Sequence, residues 1–256
     1  MDQLSALCQR ALDYDFVLRT ERNAIAPSTF WYPYQTMANF TFIDQLLHGN
    51  NRQLFDMISP KRAADIGGAD GDISFFLEQE GWEMTLIDNP STNWNGLKGA
   101  RLFREKTHAR VRIIELNLDE QFTVEDRFEL VFFLGLLYHL KNPFFVLEQL
   151  SRISRYALLS TRIMRWSAPE AKDGTSTDPP RQLLQQLPVA YLLAPDECNN
   201  DCTNYWIFSD AGLRRILART GWDVEDYMII GAADDADPFS LENDGRAFCL
   251  IKSRFI

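Results

Sequence analysis

The spacing of apolar residues divides the chain into an N-terminal helical segment and a longer alternating segment. Within residues 1–60, apolar side chains recur at helical intervals, for example at Leu4, Cys8 and Leu12, which predicts amphipathic helices. From residue 62 onward, short apolar runs alternate with amphipathic stretches, a pattern typical of βαβ units around a parallel sheet. The predicted strands lie near residues 62–67, 83–88, 110–116, 128–135, 155–162, 225–231 and 246–253. The predicted helices of this second segment lie near residues 72–80, 97–106, 143–153 and 209–220.

Two interruptions of this pattern indicate how the chain is organised. Residues 27–40 are a turn-forming aromatic segment, PSTFWYPYQTMANF, between predicted helices. Residues 166–207 are rich in Pro, Asp, Gln and Asn and break the alternation, so we interpret them as an insertion that forms a lid. We therefore predict an N-terminal helical cap at residues 1–60 and an α/β domain at residues 61–256, with a hairpin-like return between its last two strands.

The charge of the chain argues against a protein that is held to nucleic acid by its overall charge. The 36 Asp and Glu residues outnumber the 26 Lys and Arg residues, which gives a formal net charge of −10. Nucleic-acid-binding domains usually carry a basic patch or stripe. A small molecule is therefore the expected partner, and nucleic acid is not.

The sequence predicts neither a membrane span nor a metal site. The longest apolar run, residues 130–140, is too short to cross a bilayer, and the N-terminal residues lack the basic and apolar regions of a signal peptide. Cys198 and Cys202 are separated by three residues, where a zinc knuckle usually has two. We therefore expect a cytoplasmic protein without a metal, and the oligomeric state stays open.

A glycine turn follows the first predicted strand and precedes a predicted helix. Glycines allow the backbone to pass close to a ligand, and the helix N-terminus offers free amide groups. The turn departs from the dinucleotide fingerprint, because Ala69 and Asp72 stand where glycines are required. Its acids would repel a pyrophosphate but would accept hydrogen bonds from an ammonium group, which favours a nucleoside that carries an amino acid. The candidate ligand-binding residues of this stretch are Asp65, Gly67, Gly68, Asp70 and Gly71.

Polar residues also end the next two predicted strands. Asp88 ends the second strand, where a carboxylate can accept hydrogen bonds from both hydroxyls of a ribose. Asn117 ends the third strand, where the edge of an adenine would lie. The fourth strand delivers Leu134 to the same edge of the sheet.

The segments DIGGADGD, LID, ELNLD and FFLGLLYHLKNP, in this order and spacing, resemble the class I S-adenosylmethionine-dependent methyltransferases. The resemblance implies a Rossmann-like fold with helices on both faces of a mostly parallel seven-stranded sheet, whose last strand is antiparallel. It also implies that S-adenosyl-L-methionine is the cofactor and that S-adenosyl-L-homocysteine is the product. The residues that end the predicted strands and form the glycine turn would then bind this cofactor.

A narrower similarity connects WYPYQTMANF, LGLLYHLKNP and GRAFCLIK with the subgroup that includes the tRNA wobble-uridine carboxymethyltransferases. These enzymes use carboxy-S-adenosylmethionine, and Tyr138 and Arg246 match by motif two residues that help to bind its extra carboxylate. The subgroup also places a lysine ahead of the core, where it holds the extra carboxylate of the cofactor. This lysine has no counterpart in PSTFWYPYQ. We therefore expect ordinary S-adenosylmethionine to be preferred, with Arg246 serving the substrate or simply forming an exposed strand end.

The candidate catalytic residues follow the fourth predicted strand. His139 has an intrinsic pKa near neutrality and would remove a proton from the methyl acceptor, or else it supports the backbone as a structural histidine. Tyr138 would line the transfer pocket, or else it is a packed aromatic residue. The candidate substrate-binding residues lie in the aromatic segment, at the fifth strand, in the insertion and in the last strand: Trp31, Tyr32, Tyr34, Arg162, Asn200, Asn204, Trp206 and Arg246.

Three functions are compatible with these residues. The leading hypothesis is a methyltransferase that acts on an O or N centre of a small organic molecule. The second is a tRNA-modifying methyl- or carboxymethyltransferase, and the third is a protein that binds the cofactor without catalysing a reaction. The acceptor cannot be named from the sequence, because acceptor specificity depends on the cap and the insertion rather than on the fold.

Overall fold

The architecture is one mixed sheet with helices on both faces. The computed structural model describes residues 2–167, 181–195, 197–198, 200–232, 234–238 and 242–256. Residues 168–180, which belong to the predicted lid, lie outside the described residues. The helices are α1 (Gln3–Ile25), α2 (Asn39–Leu46), α3 (Leu54–Met57), α4 (Asp72–Gln79), α5 (Lys98–Thr107), α6 (Pro143–Ile153) and α7 (Asp210–Arg219). The strands are β1 (Arg62–Ile66), β2 (Glu83–Asp88), β3 (Arg112–Glu115), β4 (Phe128–Leu134), β5 (Ser154–Met164), β6 (Ala190–Leu192), β7 (Trp206–Ser209), β8 (Trp222–Gly231) and β9 (Gly245–Ser253).

The strand order confirms the predicted fold class. Strands β3, β2, β1, β4 and β5 are adjacent and parallel. Strand β9 runs antiparallel to β5 and pairs on its other side with β8, also antiparallel. The carboxyl ends of the parallel strands therefore share one edge of the sheet, where ligands bind in open α/β folds.

The described residues contain nine strands rather than the predicted seven. The two additional strands, β6 and β7, come from the segment that the sequence analysis treated as an insertion. The end of β5 pairs in parallel with β7 through Ile163 and Met164, and β6 pairs antiparallel with β7. These strands have only three and four residues, so their apolar pattern is too short to be distinguished from that of a loop.

Alternate residues of the central strands pack against two different helical layers. Leu130 and Phe132 of β4 belong to the apolar cluster that contains residues of α1, α2, α4 and α5. Val131 and Phe133 belong to the cluster on the opposite face, which contains residues of α6 and α7. This alternation follows from the two-residue period of a strand. The N-terminal helices thus share their buried cluster with one face of the sheet.

A buried ion pair fastens α1 to the start of α4. Arg22 Nη2 donates to Asp72 Oδ1, and both side chains are almost completely buried. Thr36 Oγ1 donates to the second carboxylate oxygen of Asp72 at 2.5 Å. The Arg22 guanidinium also lies 4.9 Å from the centroid of the Trp31 ring, within the range of a cation–π contact. Asp72 therefore joins α1, the aromatic segment and α4. The residue before α4, Gly71, has a left-handed backbone conformation.

No helix in the described part of the chain is both long enough and apolar enough to cross a membrane.

Replacing Arg22 by Met should destabilise the protein strongly, because Asp72 would remain buried without its cation. Breaking a buried pair from one side costs about 3–5 kcal/mol. We expect this loss in the free energy of unfolding, measured by urea denaturation followed by circular dichroism.

The matched control is Arg19→Ala on the same helix, because Arg19 pairs with Asp15 at 2.8 Å on the exposed face of α1. An exposed pair contributes at most about 1 kcal/mol. Equal losses for Arg22→Met and Arg19→Ala would refute the anchoring role of the buried pair.

Candidate active site

The glycine turn after β1 folds tightly over the end of that strand. Gly67 and Gly71 have φ values of +72° and +81°, in the left-handed region that favours glycine. A Cβ atom on Gly67 would lie 2.9 Å from Leu136 Cδ2, and one on Gly68 would collide with the Asp65 carboxyl group. The turn therefore has no room for side chains at these two positions, and its backbone lies directly beside the strand-end carboxylate.

Asp65 is buried beneath this turn. Ser74 Oγ donates to Asp65 Oδ2 at 3.1 Å. Burial raises the pKa of Asp65 to about 7, against the opposing effect of the Ser74 hydrogen bond. A buried carboxylate with a raised pKa is favourable for binding a cation, because an ammonium group would restore the stability of its ionised form.

Asp88, at the end of β2, faces the same turn. Its Oδ2 atom accepts hydrogen bonds from Ala69 N at 2.9 Å and from Asn93 Nδ2 at 3.0 Å. Its Oδ1 atom accepts one hydrogen bond, from Asn89 N at 2.7 Å. One lone pair of Oδ1 therefore remains for a further hydrogen-bond donor. Burial raises the pKa of Asp88 to about 6.

Asn93 and Asn95 belong to the site region, although the sequence analysis did not select them. Asn93 Nδ2 also donates to the carbonyl of Ala69 at 3.2 Å, so that it connects the glycine turn with Asp88. Asn95 Nδ2 donates to Asp70 Oδ1 at 2.8 Å. The signal was present in the asparagine-rich stretch NPSTNWNG that directly follows Asp88.

Asp70 is engaged by the N-terminal segment. Its Oδ2 atom accepts a hydrogen bond from the backbone amide of Tyr32 at 2.6 Å, while Asn95 occupies the other oxygen. Burial raises the pKa of Asp70. The contacts of this predicted cofactor residue therefore position the aromatic segment beside the glycine turn.

Leu134 ends β4, as predicted, whereas β3 ends at Glu115 and Asn117 follows two residues later. Asn117 is half-buried, and its Oδ1 atom accepts from the backbone amide of Asp119 at 3.2 Å. Leu134 is half-buried and precedes Gly135, whose φ is +73°. The glycine turns the chain sharply after β4, and Tyr138 and His139 follow in a short 3₁₀ helix, Leu137–His139.

Tyr138, Arg246 and Asp244 form a polar cluster at this edge of the sheet. Arg246 Nη1 donates to Tyr138 Oη at 3.3 Å, and Arg246 Nε donates to Asp244 Oδ2 at 3.1 Å. Burial, followed by the influence of Tyr138 and Tyr34, raises the pKa of Tyr32 to about 12. The backbone amide of Tyr32 is bound to Asp70 of the glycine turn, and Leu136, two residues before Tyr138, lies against Gly67. The polar cluster and the glycine turn are therefore neighbours.

His139 packs beside Tyr138 and is held from the segment that precedes β7. The centroids of the two rings are 4.3 Å apart. His139 Nδ1 lies 3.0 Å from both the carbonyl oxygen and the hydroxyl oxygen of Thr203. Burial lowers the pKa of His139, so the imidazole is neutral at pH 7.

The three selected aromatic residues of the N-terminal segment occupy different environments. Trp31 is buried against Arg22 and Phe103 and therefore packs in the cap. Tyr32 is half-buried, and its ring centroid lies 5.3 Å from that of Tyr34. Tyr34 is exposed. The structure therefore brings Tyr32 to the candidate site and places Trp31 behind it.

The remaining predicted substrate residues lie around this cluster rather than within it. Arg162 is buried behind Arg246, where its Nη1 atom lies 3.0 Å from Cys198 Sγ and its Nε atom 3.4 Å from Asp244 Oδ1. Asn204 is also buried, and its Nδ2 atom donates to the carbonyl of Cys198 at 3.0 Å. These two side chains support the loop that carries Thr203.

Asn200 and Trp206 lie nearer the surface. Asn200 is exposed. Trp206 Nε1 donates to the carbonyl of Lys141 at 3.3 Å, and the ring borders a surface groove with Phe144 and Phe145 of α6. Within the described residues, no group of three or more His, Cys, Asp or Glu side chains is arranged to hold a metal ion.

A family model described as "Methyltransferase domain" matches residues 40–227 of the chain. The match includes the glycine turn, Asp88, Tyr138, His139 and the segment that carries Thr203. It ends before β9, so Arg246 lies outside it. No curated protein sequence matches the chain.

Solved structures with a similar fold include two that align over almost their whole length. The N-terminal domain of EvdMO1, crystallised in the presence of SAH and D-fucose, is 17% identical with a TM-score of 0.57, and the alignment covers 93% of this chain and 96% of that one. The PH0226 protein from Pyrococcus horikoshii OT3 is 14% identical with a TM-score of 0.53, and the alignment covers 91% and 99% of the two chains. At these identities the likeness concerns the fold.

Replacing Asp88 by Asn should weaken the binding of S-adenosylhomocysteine at least about tenfold, because a hydrogen bond to a charged group contributes about 1.5–3 kcal/mol. Isothermal titration calorimetry at pH 7.5 measures this affinity. Asp126→Asn is the matched control, because Asp126 forms a surface ion pair with Arg112.

The pH dependence of the same affinity provides a second check of the Asp88 assignment. Ribose hydroxyls would donate to the ionised carboxylate, so the affinity should fall as the pH drops through about 6, the pKa to which burial raises Asp88. Asp88→Asn should remove the part of this dependence centred near pH 6 and leave the part near pH 7 that is due to Asp65. An unchanged affinity in Asp88→Asn would refute the ribose assignment.

Proposed function

Because the chain belongs to the methyltransferase domain family and uses S-adenosylmethionine, we propose that it transfers the methyl group to an O or N centre of a small organic molecule. The arrangement that carries this proposal is the edge of the sheet, where Asp88 and the glycine turn adjoin the polar cluster of Tyr138 and Arg246. Leu136 lies against Gly67 two residues before Tyr138, and the Tyr32 backbone is bound to Asp70 of the glycine turn. A cofactor held by the first region would thus present its methyl group toward the second.

The residues of the first region suit the chemical groups of the cofactor. Gly67 and Gly68 fold the turn tightly over the end of β1. The Asp88 carboxylate would accept a hydrogen bond from the ribose, and Asp65 would balance the ammonium group through the turn. Asn117 and Leu134 would border the adenine and the sulfonium side. When bound, S-adenosylmethionine supplies an electrophilic methyl group and leaves as S-adenosylhomocysteine.

His139 is the proposed general base. A weakly acidic acceptor must lose its proton as the new bond forms, and a neutral imidazole can remove that proton near pH 7. Burial lowers the pKa of His139, which favours the neutral form. The Tyr138 ring, 4.3 Å from the imidazole between centroids, would form one wall of the acceptor pocket.

A small acceptor is more consistent with the charge of the protein than a tRNA. The net charge is −10, and the proposed acceptor pocket is bounded by the Tyr32 and Tyr138 side chains. The similar N-terminal domain of EvdMO1 was crystallised with D-fucose, a small polar molecule. This supports a small organic acceptor without identifying it.

The test is transfer of radiolabelled methyl groups from S-adenosylmethionine into a cell extract that is afterwards separated into RNA, protein and small-molecule fractions. We expect the label in the small-molecule fraction. His139→Gln should slow its appearance by about 100-fold if the imidazole acts as the base, and Asp126→Asn should not.

Two outcomes would contradict the proposal in different ways. Label in the RNA fraction, together with tRNA binding that weakens steeply with added salt, would indicate the tRNA-modifying alternative. Tight binding of S-adenosylhomocysteine without label in any fraction would indicate a protein that binds the cofactor and does not catalyse transfer.

One observation favours a second candidate, a carboxymethyl transfer. Arg246 Nη1 donates to Tyr138 Oη at 3.3 Å, so the two residues that match the carboxylate-binding positions of the tRNA subgroup do lie together. However, Arg246 Nε is already paired with Asp244. A second carboxylate would have to share this guanidinium with Asp244, and an incompletely paired buried charge is costly.

We therefore expect S-adenosylmethionine to bind more tightly than its carboxylated form, as measured by competition calorimetry with the purified protein. Arg246→Ala should leave the affinity for S-adenosylmethionine nearly unchanged, because this residue is assigned to the acceptor. Preference for the carboxylated form, lost in Arg246→Ala, would instead establish carboxymethyl transfer.

A further inference from the structure

A chain of hydrogen bonds extends from His139 to a carboxylate in the segment before β7. Thr203 Oγ1 lies 3.0 Å from His139 Nδ1 and donates to Asp201 Oδ1 at 2.6 Å. The backbone amide of Thr203 donates to the same carboxylate oxygen at 2.9 Å. Asp201 therefore fixes both the hydroxyl and the backbone of the residue that contacts the imidazole.

The positions of the protons in this chain follow from the donors that are present. A threonine hydroxyl has one proton, and an ionised carboxylate can only accept, so the Thr203 proton points to Asp201. The hydroxyl then presents a lone pair to His139 Nδ1. The Thr203 carbonyl, also 3.0 Å from Nδ1, presents a second lone pair. Two acceptors facing one ring nitrogen require that this nitrogen carries the hydrogen.

The segment that holds the imidazole is itself anchored to the turn that carries it. The backbone amide of Tyr205 donates to the carbonyl of Tyr138 at 2.8 Å. Trp206 Nε1 donates to the carbonyl of Lys141 at 3.3 Å. Residues on both sides of His139 are therefore bound to the segment that contains Asp201 and Thr203. These bonds hold the imidazole ring beside its hydrogen-bond partners.

We propose that Asp201 and Thr203 are positioning residues that hold His139 with its hydrogen on Nδ1, so that Nε2 carries the lone pair that accepts the proton of the methyl acceptor. This inference rests on the proposed function and narrows its substrates to acceptors that lose a proton on methylation. The acceptor lone pair forms the bond to the methyl carbon, and the electrons of the carbon–sulfur bond return to sulfur. The acceptor proton passes to Nε2.

The charges around the ring determine its titration. Burial lowers the pKa of His139, and Arg246 acts in the same direction. The hydrogen bond to the backbone carbonyl of Thr203 and the charge of Asp201 act in the opposite direction, because both favour the imidazolium. Tyr138 is the titratable neighbour on the same turn. Removing the charge of Asp201 should therefore lower the pKa of His139 further.

The tautomer can be observed directly by long-range ¹H–¹⁵N NMR correlation on protein labelled at histidine and saturated with S-adenosylhomocysteine. The chain has three histidines, and His48→Gln and His108→Gln identify the signals of the other two rings. We expect His139 to be protonated on Nδ1 at pH 7.5. A ring protonated on Nε2 would overturn the inference.

Variants of the two positioning residues provide the second readout. Asp201→Asn and Thr203→Val should each lower the pKa of His139 in an NMR titration, whereas Thr203→Ser, which retains the hydroxyl, should not. With an identified acceptor, the first two variants should reduce kcat by about tenfold with little change in KM, and the acidic limb of the pH profile should move to lower pH. Thermal melting confirms that each variant is folded.

The two readouts separate this inference from the proposed function. An Asp201→Asn variant that leaves both the tautomer and the pKa of His139 unchanged would overturn the positioning role, whether or not methyl transfer occurs. An Nδ1-protonated ring in a protein that transfers no methyl group would instead count against the proposed function.

Discussion

The buried carboxylate of Asp72 and its neighbour Asp70 connect the N-terminal segment to the glycine turn. Asp72 binds Arg22 and Thr36, and Asp70 binds the backbone of Tyr32. Two buried acids beside the glycine turn would be costly without partners, and the partners come from α1, the aromatic segment and Asn95. The turn and the segment that covers it are therefore energetically coupled. Loosening the cap would expose these acids and would also displace Tyr32 from the edge of the sheet.

This coupling explains why acids of similar appearance in the sequence have different environments. Asp65 and Asp88 lie at strand ends with pKa values raised by burial to about 7 and about 6, and few cationic groups neutralise them. Asp70 lies in the turn and accepts hydrogen bonds from Tyr32 and Asn95. Asp72 begins α4 and is bound by Arg22 and Thr36. A cationic ligand would be stabilised most beside an acid that has no cationic partner in the protein. The chemistry of the site therefore favours contact of a cationic ligand with Asp65 and Asp88. The attachment of the N-terminal segment depends on Asp70 and Asp72.

The features that could be predicted from the sequence are those determined by local pattern. The alternation of apolar runs with amphipathic stretches predicts β1 to β5 and the helices between them, and the glycine turn and Asp88 follow from residue types at strand ends. Strands β6 and β7 were not predictable, because their few residues acquire strand geometry by pairing with the end of β5. The partners of Asp70 were not predictable either, since Tyr32 lies 38 positions away in the sequence.

The polar cluster of the candidate acceptor pocket depends on the antiparallel part of the sheet. Arg162 of β5 and Arg246 of β9 are register partners, and the carboxylate of Asp244 lies between their guanidinium groups. Arg162 is buried, and its Nε atom lies 3.4 Å from Asp244 Oδ1, so Asp244 cannot be assigned to Arg246 alone. The charge that Arg246 presents near Tyr138 thus depends on its neighbour Asp244 and also on the strand pairing that brings Arg162 to the same carboxylate. The surroundings of Arg246 and Tyr138 therefore depend on contacts that form only when the whole sheet is assembled.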